Sequence, residues 1–161
     1  MTTAHDFAFS SIDGAPLPLL GYAGRPVLLV NVASACGFTP QYAGLQELHA
    51  KMGGPDGVVV LGVPSNDFGA QEPGDEGAIK SFCETSFGVT FPMTAKQKVI
   101  GADAHPLYRW IAAELGEGGA PKWNFHKYLI DGAGRLAGAW SSRVAPMSDE
   151  IVKAVRAAPR S

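Results

Sequence analysis

Cysteine is scarce in this chain. Only two of its 161 residues are cysteines, which excludes a small secreted scaffold held together by several disulfides. Charge is scarce as well, since 17% of the residues are charged and the formal net charge is −2. The chain therefore has no overall electrostatic attraction to nucleic acid or anionic lipid. No stretch approaches the roughly 20 apolar residues that a membrane-spanning helix needs. We therefore predict no nucleic-acid partner and no membrane anchor.

The first six residues, Met1 to Asp6, lack the basic start and the apolar run of a signal peptide. We expect a cytoplasmic protein, and in a reducing compartment a cysteine pair is more often catalytic or redox-sensing than structural. The length, the 46% hydrophobic content and the lack of an internal repeat or linker predict one domain over residues 1–161.

Apolar runs predict two buried strands with a helix between them. Residues 27–33 and 58–63 are almost continuously apolar, which is typical of parallel strands covered on both faces. Between them, apolar residues recur at helical spacing from Tyr42 to Met52, and the helix is expected to end at Gly53. The other predicted elements are a hairpin over residues 7–19, an extended piece at 91–93, helices from Asp75 to Phe87, over 105–115 and after Ser148, and a hairpin of 123–131 with 135–141.

This order of elements predicts an α/β fold. Strand–helix–strand–helix, followed by an antiparallel hairpin and a last helix, implies a central mixed β-sheet flanked by helices on both faces. The N-terminal β-hairpin, which turns at Asp13-Gly14, precedes this sheet. The arrangement is thioredoxin-like, and we expect a right-handed crossover between the parallel strands.

Cys36 falls between the first buried strand and the helix that follows. Thr39 is predicted as the N-cap of this helix and Pro40 as its first residue. Unpaired N–H groups and the dipole at a helix N-terminus favour an anion, and the thiolate is the reactive form of cysteine. Position alone therefore favours a reactive thiol, with a small buried gap-filling residue as the alternative.

Four segments carry motifs that are found together in one family. They are residues 31–39 around Cys36, 64–74, 82–92 and 123–131. In their order and spacing they resemble the glutathione peroxidase family, and the resemblance covers almost the whole chain. It implies a cysteine-type, non-selenium member whose active-site tetrad is Cys36, Gln71, Trp123 and Asn124, with Cys36 attacking the peroxide.

The chemistry of each side chain suits a role in the tetrad. The amides of Gln71 and Asn124 can donate hydrogen bonds to sulfur or peroxide oxygen, and the indole N–H of Trp123 can only donate. Donors aimed at developing negative charge are a common catalytic device. By residue type alone, Gln71 is equally well a solvated loop residue, Trp123 a core residue and Asn124 a turn residue. Only the register with the family motifs favours catalysis.

Cys83 permits two interpretations. It shares a helix face with Ile79 and Phe82, which is typical of a buried, inert thiol. The resemblance implies instead a resolving cysteine that attacks oxidised Cys36 and forms an intramolecular disulfide. Such a bond needs Cα atoms within about 7 Å, which two thiols on separate elements, one of them on a helix face, are not expected to meet in the reduced state. We therefore predict that the helix over residues 75–87 unwinds locally during turnover.

The predicted function is that of a thiol peroxidase reducing hydrogen peroxide and organic hydroperoxides, recycled by thioredoxin. The alternatives are direct reduction by glutathione, a peroxide sensor or redox relay that oxidises a partner protein, and an inert thioredoxin-like module. No metal or organic cofactor is implied. The segment between Leu115 and Trp123 is short, and the resemblance then implies a monomer without the oligomerisation loop of tetrameric members.

The chain departs from the family pattern at two positions near the active loop. Many members have cysteine and glutamine where this chain has Ser65 and Asp67, so a negative charge is expected near the active loop. His126 is predicted to lie on the surface. We expect solvated charges at Lys122, Lys127 and Arg143, with attraction of an anionic reductant such as glutathione as the alternative.

Overall fold

The computed structural model describes residues 1–161. Two short 3₁₀ helices, Ala4–Asp6 and Leu19–Tyr22, flank the first hairpin. The strands are β1 (Ala8–Ser10), β2 (Pro16–Pro18), β3 (Val27–Val32), β4 (Val59–Pro64), β5 (Lys127–Ile130) and β6 (Leu136–Trp140). The helices are α1 (Gln41–Met52), α2 (Glu76–Phe87), α3 (Pro106–Leu115) and α4 (Asp149–Ala157).

The central sheet is mixed, as predicted. Its strand order is β4-β3-β5-β6, with β3 parallel to β4 and antiparallel to β5, and with β5 antiparallel to β6. Every residue of β3, β4 and β5 is buried, which explains the unbroken apolar runs of β3 and β4. Strands β1 and β2 form the predicted separate hairpin.

Helices cover both faces of the sheet. On one face, Leu45 of α1, Ile79 of α2 and Ile151 of α4 pack into a single cluster that also contains both cysteines. On the other face, α3 and the N-terminal segment pack against the sheet through side chains such as Leu107 and Phe9. This is the thioredoxin-like arrangement that the element order predicts.

The helix after Cys36 does not begin as predicted. Helix α1 starts at Gln41 with Pro40 at its N-cap, and no side chain caps it. The prediction of Thr39 as the N-cap is wrong because its hydroxyl is used inside the preceding loop. Thr39 Oγ1 accepts a hydrogen bond from the Cys36 amide at 2.9 Å and donates to the Ala33 carbonyl at 2.8 Å. Thr39 therefore closes the cysteine loop rather than the helix.

The second hairpin also begins later than the alternation predicted. Residues 123–126 form a turn, and strand β5 starts at Lys127. Phe125 has φ +66°, a left-handed backbone that is uncommon for a bulky residue. Its amide donates to the Asn31 carbonyl at 2.6 Å, which ties this turn to the end of β3. The turn therefore places Trp123 and Asn124 beside the cysteine loop.

Candidate active site

Cys36 lies in the loop between β3 and α1, with 8% of its surface exposed. The Phe38 amide donates to its Sγ at 3.3 Å, so a backbone N–H faces the sulfur from the turn that precedes α1. The Cys36 carbonyl accepts from the Thr39 amide at 3.0 Å, which keeps the loop tight. An N–H aimed at sulfur stabilises the thiolate that nucleophilic attack requires.

Gln71 is held by an unusual backbone. The two residues before it, Gly69 and Ala70, both have left-handed backbones with φ values of +68° and +52°. The Gln71 carbonyl then accepts a hydrogen bond from the Ala35 amide at 3.0 Å. Because Ala35 precedes Cys36, this bond joins the Gln71 loop directly to the cysteine loop.

Asn124 is buried and hydrogen-bonded to the Gln71 loop. Its Nδ2 donates to Gln71 Oε1 at 2.9 Å and to the Phe68 carbonyl at 3.4 Å. The Gln71 Oε1 acceptor is thereby engaged, and the Gln71 Nε2 makes no hydrogen bond within the protein. Asn124 thus orients the Gln71 amide and leaves its donor end free for a ligand.

Trp123 packs over the same loop. Its ring lies 5.7 Å from the Phe68 ring, centroid to centroid, and its carbonyl accepts from Asn31 Nδ2 at 3.0 Å. A β-carbon added at Gly69 would lie 3.1 Å from Trp123 Cη2, so the left-handed loop and the indole fit closely. Trp123 also packs against the core cluster that contains Cys36.

The structure brings the four predicted tetrad positions into one region. Gln71 and Asn124 are bonded directly, and the Ala35 bond joins them to the Cys36 loop. The side chains of Gln71, Trp123 and Asn124 do not donate to the Cys36 sulfur. Its hydrogen bond comes from the Phe38 amide. Hydrogen bonds of this kind are often long or absent without substrate and tighten when it binds.

Cys83 is placed differently from Cys36. It lies on α2, is 1% exposed, and burial raises the pKa of its thiol to about 11. Both cysteines are free thiols in the same core cluster. Cys83 also lines a cavity of about 390 Å³ beside Asp13 and Lys80, and Cys36 is not among the residues that line it. The two sulfurs therefore face different surroundings in this state.

Two buried residues correct the sequence-based expectation of surface charge. His126 is buried, and the pKa of its imidazole falls to about 4 because burial disfavours the charged form. Lys127 is fully buried, and burial lowers the pKa of its amine to about 7. Lys127 lies between Val30 of β3 and Trp140 of β6, so neighbouring strands cover it on both sides. Lys122 and Arg143 are exposed, as expected.

Sequence reasoning also missed polar residues that support the site. Asn31 is buried at the end of β3 and bonds the 123–125 turn through its side chain and its carbonyl. Glu72, next to Gln71, is buried, and burial raises the pKa of its carboxyl. Their positions in the sequence could have indicated this role, because Asn31 interrupts an apolar strand and Glu72 directly follows Gln71.

The Asp67 carboxylate accepts hydrogen bonds from two backbone amides. Its Oδ2 accepts from the Val99 amide at 2.6 Å and from the Ile100 amide at 3.3 Å. Its own amide donates to Ser65 Oγ at 3.3 Å. Asp67 therefore ties the Gln71 loop to the segment before α3, and two amides compensate its negative charge.

No group of three or more His, Cys, Asp or Glu side chains is placed to hold a metal ion. No helix has the length and apolar character needed to cross a bilayer.

The fold and the site together define a thioredoxin-like protein with a free cysteine in the loop after a central strand, and a backbone hydrogen bond joins this loop to the one that carries the Gln–Asn pair. Comparison with known proteins gives the family. Residues 4–112 match the family model described as Glutathione peroxidase. The chain belongs to the glutathione peroxidase family.

Relatives agree along almost the full length. The chain is 45% identical over 157 residues to hydroperoxy fatty acid reductase gpx1 of Synechocystis, covering 92% of this chain and 91% of that protein. It is 46% identical over 153 residues to glutathione peroxidase-like peroxiredoxin 2 of Saccharomyces cerevisiae, covering 92% and 93%. The crystal structure of Trgpx in apo form superimposes with a TM-score of 0.75 at 37% identity, covering 99% of each chain.

Proposed function

We propose that the protein is a thiol peroxidase that reduces hydrogen peroxide and organic hydroperoxides at Cys36. The observation that carries the proposal is the connected loop geometry. Asn124 bonds the Gln71 side chain, and the Gln71 backbone bonds Ala35 beside Cys36. Membership of the glutathione peroxidase family supports the same activity, as do relatives named hydroperoxy fatty acid reductase and glutathione peroxidase-like peroxiredoxin.

The first step oxidises Cys36. The thiolate attacks one peroxide oxygen, so that an S–O bond forms while the O–O bond breaks. The second oxygen takes up the proton that the Cys36 thiol released on ionising and leaves as water or an alcohol, and Cys36 becomes a sulfenic acid. We assign Gln71, Trp123 and Asn124 to donate hydrogen bonds that stabilise the negative charge on the reacting oxygens.

The second step uses Cys83 as the resolving residue. Its sulfur attacks the Cys36 sulfenic sulfur, so that an S–S bond forms, the S–O bond breaks and water leaves with the thiol proton. Because Cys83 is buried in α2, we assign a local opening of α2 to this step, which would expose the Cys83 thiol to the sulfenic acid. A thioredoxin-type dithiol then supplies two electrons and restores both thiols.

The substrate class includes fatty acid hydroperoxides. The relative named hydroperoxy fatty acid reductase supports this, since it aligns over nearly the whole chain. We also propose that the protein is a monomer of one domain located in the cytoplasm. The support for a monomer is the short connection from α3 to β5, which lies between Leu115 and Lys127.

Peroxide consumption with two reducing systems tests the proposal. Wild type, Cys36→Ser and Cys83→Ser are supplied with thioredoxin and its reductase, or with glutathione and its reductase. We expect thioredoxin-driven turnover only in the wild type. Turnover with glutathione that survives in Cys83→Ser would replace the thioredoxin assignment, and full activity in Cys36→Ser would overturn the peroxidase site.

Intact mass after one equivalent of peroxide tests the role of Cys83. The wild type is expected to lose two hydrogens, as a disulfide requires. Cys83→Ser is expected to gain one oxygen, as an unresolved sulfenic acid requires. A gain of one oxygen in the wild type, followed by transfer to a partner thiol, would instead indicate a redox relay.

A further inference from the structure

Lys127 is a buried lysine without an acidic partner. It is 0% exposed, and the three ion pairs of the molecule involve Lys51, Lys80 and Lys98 instead. Burying an amine is costly unless its hydrogens are used. Its Nζ donates to the Phe125 carbonyl at 2.7 Å and lies 3.5 Å from the Ser142 carbonyl. These two carbonyls are the contacts that compensate its burial.

The first carbonyl belongs to the left-handed residue of the active-site turn. Phe125 is fully buried with φ +66°, a conformation that bulky residues keep only when the surroundings impose it. Its amide donates to the Asn31 carbonyl and its own carbonyl accepts from Lys127. The peptide groups on both sides of Phe125 are therefore fixed, directly after Trp123 and Asn124.

The second carbonyl leads to the helix after Cys36. The Ser142 carbonyl also accepts from Gln41 Nε2 at 2.7 Å, and Gln41 is the first residue of α1. Lys127 therefore meets both the Trp123–Asn124 turn and the segment that holds the start of α1. Lys127 and Leu129 lie on the same face of β5, and Leu129 belongs to the cluster that contains Cys36.

We propose that Lys127 is a positioning residue for the reaction at Cys36: its amine holds the left-handed turn at Phe125, so that Trp123 and Asn124 keep their places against the Gln71 loop. Lys127 acts through these groups and does not touch the peroxide. The inference rests on the proposed peroxidase function and extends it to a residue that lies beneath the site.

Three variants test this role. Lys127→Met keeps the apolar stem and removes the donors, Lys127→Gln keeps a shorter donor, and Lys153→Met removes an exposed lysine of α4 as the matched control. The rate of Cys36 oxidation by peroxide is measured in a single turnover by rapid quenching with an alkylating reagent. We expect Lys127→Met to react at least about tenfold more slowly, because a misplaced catalytic group is costly, and Lys127→Gln to fall between it and the wild type.

A spectroscopic measurement separates positioning from general loss of stability. The side-chain amide resonances of Gln71 and Asn124 report the bond between them, and far-UV circular dichroism reports folding. We expect these resonances to shift in Lys127→Met and to stay in place in Lys153→Met. A folded Lys127→Met with wild-type rate and resonances would overturn the inference. Should Lys127→Met not fold, Lys127→Gln decides, and a rate within about twofold of wild type would overturn it.

Failure of the inference is distinguishable from failure of the proposed function. The wild type and Lys153→Met have to oxidise Cys36 rapidly for the peroxidase assignment to stand at all. If they do not, the proposed function fails, while the amide resonances still report whether Lys127 holds the turn. If they do and Lys127→Met matches them, only the role of Lys127 is lost.

Discussion

Replacing Gly69 with alanine tests whether the close fit between the Gln71 loop and the indole matters for chemistry. Gly69 has φ +68°, and the added β-carbon would lie 3.1 Å from Trp123 Cη2 and 3.5 Å from Gln71 Cδ. The left-handed backbone costs alanine about 1–2 kcal/mol. The shorter contact adds a displacement of a few tenths of an ångström in the loop or the ring.

Gly101→Ala is the matched control. Gly101 has φ +79°, so alanine meets a comparable backbone cost, but nothing lies within 4 Å of the added β-carbon. For a chain of this length, a loss of about 1–2 kcal/mol lowers the melting temperature by roughly 2–8 °C. We expect both variants to fall in this range. Their stability alone therefore does not distinguish them.

The reaction rate is what separates the two variants. In a Cys83→Ser background, where one thiol reports, Cys36 oxidation by peroxide is followed by alkylation and intact mass. A displacement of 1 Å can cost about 10² in rate, so the smaller shift in Gly69→Ala is expected to slow the reaction about three- to tenfold. Gly101→Ala is expected to react like its parent. Equal rates in the two variants would refute a role for this contact.

Three further predictions concern other parts of the molecule. Asn124→Ala should slow Cys36 oxidation by about tenfold or more, since the Gln71 amide loses the group that orients it; an unchanged rate in the same quench assay would contradict this. Iodoacetamide at neutral pH should label Cys36 well before Cys83, whereas guanidinium should make both thiols reactive, as intact mass will show. Because the folded-state pKa of His126 is depressed to about 4, its contribution to stability is present above about pH 6.5 and is lost as the pH falls through 4. The urea midpoint of the wild type should thus fall more steeply over that range than that of His126→Asn, and parallel curves would count against it.

Much of the fold follows from sequence pattern because the physics is local. Continuous apolar runs gave β3 and β4, and caps such as Asp75 and Ser148 start their helices by accepting backbone hydrogens, at 2.9 Å from the Ala78 amide in the first case. The position of Cys36 at a strand–helix junction is likewise readable from the order of elements. These features depend on residues that are close in sequence.

The rest depends on contacts between distant segments. Alternation along residues 123–131 predicted a strand, yet the bond from the Phe125 amide to Asn31 turns the first residues into a left-handed bend. Charge predicted a surface position for Lys127, but β5 lies inside the sheet and buries it. Thr39 has the residue type of a cap, and its hydroxyl is taken by Cys36 and Ala33 instead. Such outcomes are set by tertiary partners that no local window contains.

The location of Cys83 in the core has a consequence for how rigid this molecule can become. In the proposed mechanism the Cys83 side chain has to reach Cys36, and in the folded state it fills the main hydrophobic cluster together with Ile79 and Tyr42. Each catalytic cycle through Cys83 would therefore empty and refill part of that cluster. Mutations in α2 that raise the melting temperature should lower the turnover rate. Thermal stability and turnover therefore place opposite demands on this helix.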